Sequence, residues 1–404
     1  MIRLFINGLS GSAGGGLTYL RNAIPQFAAV PEVQVTVALP TGIGHEFRAF
    51  TNVDVLEMQM SVARRFWFEE FRLSELLQQT HADVLLSAGN FALRKSPVPQ
   101  ILLSRNSIYT SADFSRDLLS RREYRMWLDT RVRGVLAKQS IRWADVTIAP
   151  TEAFASELRC WTGVQVRAIH HGFDRDAFTR NSGPLPEHVA EKIESAQGSL
   201  KLIFVSHYNY YRNLETLLRA LPLLRKRLEG RSVRLFLTCR LRAGENPGAY
   251  NPESAQRLIK NLGVSGMVVE LGAVPYDQVH RLYSCADVYV TPAYTETFAH
   301  PLVEAMSTGI PVIASDIAVH REICEDAARY FPPFSPELLT ERIVEVATSP
   351  ETARQIAAAG LARAQHFSWK RHVASIVGIA AELTKSANPA LTARSESTKI
   401  EIVA

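Results

Sequence analysis

Short runs of β-branched and other apolar residues recur at 2–6, 33–39, 84–86, 101–103 and 146–148, and again at 202–205, 233–237, 268–271, 288–290 and 312–314. The segments between them are helix-length and place apolar residues three and four apart, as in Asn213-Leu214-Glu215-Thr216-Leu217-Leu218. Apolar strands alternating with amphipathic helices predict parallel sheets covered on both faces, the doubly wound α/β class. Pro301 is placed to open a helix and Gly309 to close it. A last helical pattern spans 369–384, after which the chain turns polar and aperiodic, so 386–404 reads as a disordered tail.

The two groups of strands are separated by 173–198, with Gly183-Pro184-Leu185-Pro186 at its centre. This predicts a Rossmann-like domain at 1–172, a linker at 173–198, a second Rossmann-like domain at 199–368, and a helix at 369–385 packing back on the first domain. A length of 404 residues agrees, because single cores stop growing near ~250–300 residues. With 47% hydrophobic and 21% charged residues, disordered and disulfide-scaffold classes drop out. The four cysteines are far apart and form no zinc-like pair. Met1 to Gly8 lacks the charged and apolar regions of a secretory leader, and no apolar run reaches the ~18 residues of a membrane span. The expected location is therefore cytoplasmic, with any membrane contact peripheral and at the inner face. A net charge of +5 suits an anionic substrate or membrane surface and does not call for nucleic acid.

Two segments carry candidate chemistry. Gly8 to Gly16 follows the first strand and leads into a helix near Leu17; Gly15 and Gly16 there would let backbone amides approach a phosphate or sugar. The second runs from Pro292 to Ala314, out of one strand, through a loop and helix, and into the next strand. Ligands of open α/β sheets bind beyond the carboxyl ends of strands, where Glu296, Thr297, Phe298 and Ala299 fall. Free amides from Thr297 to Leu302 would face a diphosphate, and Glu304, in the first helical turn, could accept two ribose hydroxyls or simply complement the helix dipole.

The spacing of Glu296 and Glu304 resembles the Glu-x7-Glu signature of the retaining glycosyltransferases of family 4, the group 1 glycosyltransferases, which have the GT-B fold. The likeness extends to Val205 through Ala220, Leu271-Gly272-Ala273-Val274-Pro275, Ile148-Ala149-Pro150-Thr151 and His170-His171-Gly172-Phe173-Asp174. It implies two Rossmann-like domains facing across a cleft, with Glu304 on the donor ribose and Glu296 by the donor hexose as a catalytic group. It further implies that amides of Thr297 to Ala299 and Leu302 hold sugar and diphosphate, and that Val274 meets the base through its main chain. Where the family commonly has Gly-Arg and a later Lys cradling the diphosphate, this chain has Ser206-His207 and Arg212. Arg212 supplies a permanent two-pronged cation, whereas His207 is charged near neutrality only if the diphosphate raises its pKa.

Relatives often carry a histidine at a strand end of the first domain; Leu103-Ser104-Arg105-Asn106-Ser107 stands there, making Asn106 the candidate acceptor or sugar contact. Between Arg94 and Arg142 eleven basic residues face four acidic ones, and Arg64-Arg65-Phe66-Trp67-Phe68 lies upstream, a surface suited to anionic lipid or a lipid-linked acceptor. The resulting expectation is a metal-independent retaining transferase with no cofactor. It would move a hexose-type sugar from a UDP- or GDP-linked donor to a glycan or lipid-linked hydroxyl in bacterial polysaccharide, lipopolysaccharide or glycolipid assembly. The rival readings are an epimerase or hydrolase on the same fold, and a nucleotide-sugar or glycan binder without turnover.

Overall fold

The structure, a computed structural model, describes residues 1–11 and 14–387. The chain forms two compact units: one from Met1–Thr110, Leu128–Gly172 and the segment from Ser368, the other from Ser111–Trp127 and Phe173–Phe367.

The first unit is built on seven strands, β1 (Ile2–Asn7), β2 (Val33–Pro40), β3 (Val53–Met58), β4 (Val84–Ser87), β5 (Gln100–Leu103), β6 (Val146–Ala149) and β7 (Val166–Ala168), in the order β3-β2-β1-β4-β5-β6-β7. Every pairing is parallel. Because strand side chains alternate, Leu4 and Ile6 join a core with the helices Gly14–Ala28 and Trp369–Ala387, while Phe5 packs on the opposite face with Leu73 and Leu77. The helix Trp369–Ala387 buries Val373, Ile376, Ile379 and Ala380 in the first of these cores. Gly172 explains part of its surrounding motif: a Cβ there would lie 1.9 Å from Trp369 N, so only glycine lets the two backbones meet.

The second unit holds β8 (Leu200–Phe204), β9 (Val233–Leu237), β10 (Val268–Glu270), β11 (Val288–Thr291), β12 (Val312–Ser315) and β13 (Arg329–Phe331), ordered β10-β9-β8-β11-β12-β13 and likewise all parallel. Both units thus repeat the doubly wound order in which the chain, after its third strand, crosses back to the other side of its first strand and winds the opposite way.

Three differences from the sequence reading have physical causes. The segment 173–198 contains the helices Arg175–Thr179 and Glu187–Glu194, and buried Phe178 and Val189 anchor them, so it is folded structure of the second unit. The stretch Ser111–Trp127 also groups with the second unit, through polar contacts described below. The strands β3, β7 and β13 were not anticipated; all three are sheet edges with mostly half-exposed residues, which blurs the apolar run. The tail from 388 lies outside the described residues.

Candidate functional site

In a sheet of this order the crevice opens between the two strands where the winding reverses. In the second unit these are β8 and β11. The loop leaving β8 carries His207 and Arg212, and the loop leaving β11 carries Glu296 to Ala299. Asn213 fastens one to the other. It adopts φ 53°, a left-handed backbone that asparagine tolerates. Its Oδ1 accepts from Thr216 Oγ1 at 2.9 Å at the start of the helix Leu214–Arg227, and its Nδ2 donates to Pro292 O at 3.0 Å. Tyr294 N donates to Tyr211 O at 3.1 Å, and Arg212 N donates to Asn209 Oδ1 at 3.0 Å.

With the loops held in this way, Arg212 and Glu296 form an ion pair, with only 18% and 9% of the respective side chains exposed. A carboxylate and a guanidinium withdrawn from water each need the other, because an unpaired charge at such a site is costly. Beneath them lies His320, which sequence reasoning did not single out. It is fully buried, its Nδ1 is 2.9 Å from Ser315 O, and burial followed by the Arg212 charge lowers its pKa to about 4. His320 is therefore a neutral prop; Ser315 Oγ, which it also meets, donates to Ala293 O in the Glu296 loop.

Glu304 lies in the second turn of the helix His300–Thr308, not the first as expected, because the helix begins one residue before Pro301, directly after Ala299 at φ 62°. Pro301 and Gly309 bound this helix as the sequence indicates. The carboxyl of Glu304 is buried and receives a hydrogen bond from Tyr283 OH at 3.3 Å and another from the Tyr276 hydroxyl. Loss of hydration outweighs these donors and the Arg212 charge, so its pKa rises to about 7. Tyr276 follows Val274, which is half-buried in the loop after β10, so this hydroxyl brings the Val274 loop against Glu304.

The expected row of free amides is shorter than Thr297 to Leu302. Pro301 has no N–H, and Leu302 N donates to Ala299 O at 2.9 Å. Phe298 points into the core against Phe367, 5.4 Å between ring centres. His207 is exposed on the β8 loop; packing on its inner side and then the Arg212 charge hold its pKa below the usual histidine value.

Gly15, Gly16 and Asn106 lie in the first unit. Gly15 and Gly16 belong to the first turn of the helix Gly14–Ala28, and Arg105 Nη1 donates to Gly15 O at 3.0 Å. Arg105 also lies over the Tyr19 ring at 5.5 Å, and burial lowers its pKa to about 10. Its guanidinium has no carboxylate partner among the described residues. Asn106 Oδ1 instead accepts from Ile108 N at 3.3 Å, closing the turn Ser107–Tyr109. Arg105 is a further candidate that sequence reading passed over; its signal was its place just beyond the end of β5. Among the described residues no group of three or more His, Cys, Asp or Glu side chains could hold a metal ion.

The family of glycosyl transferases group 1 matches residues 187–363, and glycosyltransferase family 4 matches residues 13–177. The chain belongs to the group 1 glycosyltransferases. Among relatives of this group 1 chain, the O-antigen chain mannosyltransferase B of Escherichia coli is 35% identical over 106 residues, 26% of this chain and 28% of that protein. A D-inositol 3-phosphate glycosyltransferase of Streptomyces scabiei is 27% identical over 243 residues, 59% of this chain and 54% of that protein. The matches thus span about half or less of these relatives' length. In fold, the chain resembles the sucrose-phosphate synthase of Thermosynechococcus elongatus (TM-score 0.75, 17% identity, 96% and 100% of the two chains). It also resembles Anabaena Alr3699/HepE in complex with UDP (TM-score 0.69, 18% identity, 95% and 100%). The architecture of this group 1 chain is GT-B.

Proposed function

We propose that this chain transfers a hexose-type sugar from a UDP- or GDP-linked donor to an acceptor hydroxyl, with retention at the anomeric carbon and without a metal ion. The observation that carries this reading is the Arg212–Glu296 pair at the reversal point of the second sheet. A departing nucleoside diphosphate gains negative charge, and Arg212 offers it a permanent two-pronged cation. Once Arg212 turns to the diphosphate, Glu296 is released to face the positive charge that develops at the sugar carbon. Glu304 already accepts hydroxyl hydrogen bonds from tyrosines, and ribose hydroxyls make the same demand of a carboxylate. A relative named as an O-antigen chain mannosyltransferase, and a fold neighbour in complex with UDP-glucose, support a nucleotide-sugar donor and a glycan or lipid-linked acceptor in bacterial polysaccharide, lipopolysaccharide or glycolipid assembly.

The acceptor side of this proposal includes a membrane surface. Phe66, Trp67 and Phe71 on the helix Val62–Phe71, and Leu128, Val132 and Val135 on the helix Tyr124–Trp143, each expose more than half of their area among arginines. Such faces suit the interface of an anionic bilayer, and among the described residues no helix is long and apolar enough to cross one.

The deciding experiment incubates the protein with UDP- and GDP-linked hexoses and lipid or glycan acceptors in the presence of EDTA, and reads nucleoside diphosphate release and product configuration. Release with a retained anomer is expected. Loss in EDTA with recovery in Mg²⁺ overturns the metal-free mechanism, and sugar release independent of any acceptor favours a hydrolase.

A further inference from the structure

The loops bearing Arg212 and Glu296 are braced from a part of the sequence that precedes the second unit by some distance. The segment Ser111–Trp127 includes the helix Ala112–Ser120, capped by Ser111 Oγ, which accepts from Phe114 N at 3.1 Å. Asp117 on this helix accepts from Tyr294 OH at 2.8 Å, two residues before Glu296. Its other oxygen takes Arg121 Nε at 2.7 Å. Arg121 then reaches Glu215 Oε1 at 3.0 Å and Ser254 Oγ at 3.0 Å, and its guanidinium lies 4.2 Å from the centre of the Tyr210 ring. Glu215 also accepts from Tyr208 OH at 2.8 Å, and Tyr210 OH donates to Glu123 at 2.7 Å. Tyr208 and Tyr210 belong to the loop that ends in Arg212, and Tyr211, next in that loop, meets Phe114 edge-on at 6.0 Å.

Both catalytic loops therefore end on one charged chain, Asp117, Arg121 and Glu215, whose side chains are at most 20% exposed. Such a chain is stiff, because shifting any member strands a partner without its hydrogen bonds. A core helix has no need of it: Phe114 and Leu118 already bury the apolar face of Ala112–Ser120. What the polar members reach are the tyrosines of the two loops.

We infer that Asp117 and Arg121 are positioning residues: from the segment Ser111–Trp127 they hold, through Tyr294 and Tyr210, the loops that set Arg212 against Glu296. The inference rests on the transferase reading for its catalytic meaning, but the bracing itself is testable without turnover.

The test is hydrogen exchange on the full chain, comparing wild type with Tyr294→Phe, which removes one hydroxyl, and with Asp117→Ala, which removes the junction. Amides at 208–213 and 293–298 should exchange roughly tenfold faster in Tyr294→Phe and faster still in Asp117→Ala, while β9 keeps its protection and the unfolding midpoint falls little in Tyr294→Phe and further in Asp117→Ala. The affinity for UDP and GDP, measured by calorimetry, should fall several-fold in the same order. If a donor turns over, kcat should fall more than KM rises, and Asp117→Asn, which still accepts from Tyr294, should recover part of the loss. Wild-type exchange at both loops in both variants overturns the inference, as does faster exchange spread evenly over the unit, including β9. If Asp117→Ala fails to fold, Tyr294→Phe alone decides. Absence of any donor turnover in wild type counts against the transferase reading alone, and the exchange result still stands for or against the brace.

Discussion

The two units share one strand order, yet the crevices at their reversal points are furnished in opposite ways. Between β8 and β11 opposite charges meet, Arg212 with Glu296, over the neutral His320 and beside the hydroxyl-bound Glu304. Beyond β1 and β4 lie glycines and Arg105, whose guanidinium meets a carbonyl and an aromatic ring, while Glu69 is held by Asn7 Nδ2 at 3.1 Å and stands 4.0 Å from Arg65. The common backbone supplies a place for ligands, and the side chains decide which. A paired site exchanges partners when an anion arrives, so it can hold charge before and after a reaction. A lone arginine beside a glycine turn can receive an anion but has no group to release in exchange.

The sharpest way to break this contrast is to remove the charged groups one at a time. Glu296→Gln should lower turnover roughly a hundredfold or more while leaving nucleoside diphosphate binding in place. Arg212→Ala should weaken that binding by a similar factor and also leave Glu296 buried without its cation. Arg105→Ala should cost turnover less than about tenfold, since its burial is already eased by a ring and a carbonyl. Steady-state kinetics and calorimetry on the three variants check this; equal losses in all of them would erase the distinction between the crevices.

Glu304 sharpens the comparison through pH. Its carboxyl has a folded-state pKa of about 7, above the ordinary value of 4.5, so the native chain holds a proton that the unfolded chain has released. Wild-type stability from this group is thus intact in acid and lost as pH rises from that ordinary value through about 7. Glu304→Gln should be no more stable than wild type at pH 4.5 but more stable at pH 8, by about 1–3 kcal/mol, and should bind nucleoside diphosphates about tenfold more weakly. Denaturant melts at the two pH values measure the first, calorimetry the second. A variant that loses stability at pH 8 would mean that the tyrosine hydroxyls need a charged acceptor more than the carboxyl needs water.

The arrangement of strands was readable because central strands buried on both faces appear as apolar runs, as in β4, β5, β11 and β12, while β2 shows by its alternation Val33-Gln34-Val35-Thr36-Val37. Three of the four edge strands, β3, β7 and β13, did not, since many of their residues meet solvent, whereas the edge strand β10 still shows through Val268-Val269. Within the site, Arg212, Glu296 and Glu304 were legible from their place beyond strand ends and from spacing. The groups that hold them were not: Tyr276, Tyr283, Asp117, Arg121 and His320 act at distances of up to 177 residues in sequence, and nothing local tells which partner a tyrosine hydroxyl will take. Arg105 was overlooked in favour of its neighbour Asn106, whose carbonyl oxygen turned out to be engaged in closing a turn.

In the first crevice, neighbouring glycines should part company. A Cβ on Gly16 would come within 3.0 Å of Gly11 Cα and 3.1 Å of Arg105 Nη2, whereas one on Gly15 meets nothing within 4 Å. Gly16→Ala should therefore lower stability by about 1–2 kcal/mol, and Gly15→Ala should leave it unchanged or raise it by up to about 1 kcal/mol through helix propensity. If an anion approaches the backbone there, Gly15→Ala alone should weaken its binding while the melting curve holds. The smallest effect belongs to His207, whose pKa burial and then the Arg212 charge hold below the usual histidine value. Should a bound diphosphate raise its pKa, binding takes up a proton and affinity falls gently as pH rises from 6 to 8.5; His207→Arg should flatten that slope. Coincident calorimetric profiles for the two proteins would assign His207 to the loop alone.

The brace at Ser111–Trp127 also bears on how such proteins can be recombined. A donor half defined by the continuous stretch 173–367 would leave behind the arginine that neutralises Glu215 and the carboxylate that receives Tyr294. Exchange of the sugar-binding half between relatives then requires a second, upstream crossover that carries 111–127 along, or matched residues already waiting in the recipient. Chimeras joined at 173 alone should express with loosened loops and poor turnover, and those that also import the short upstream segment should regain both. On the proposed reading, donor choice in this chain is accordingly tied to 111–127, a passage that interrupts the sequence of the other half.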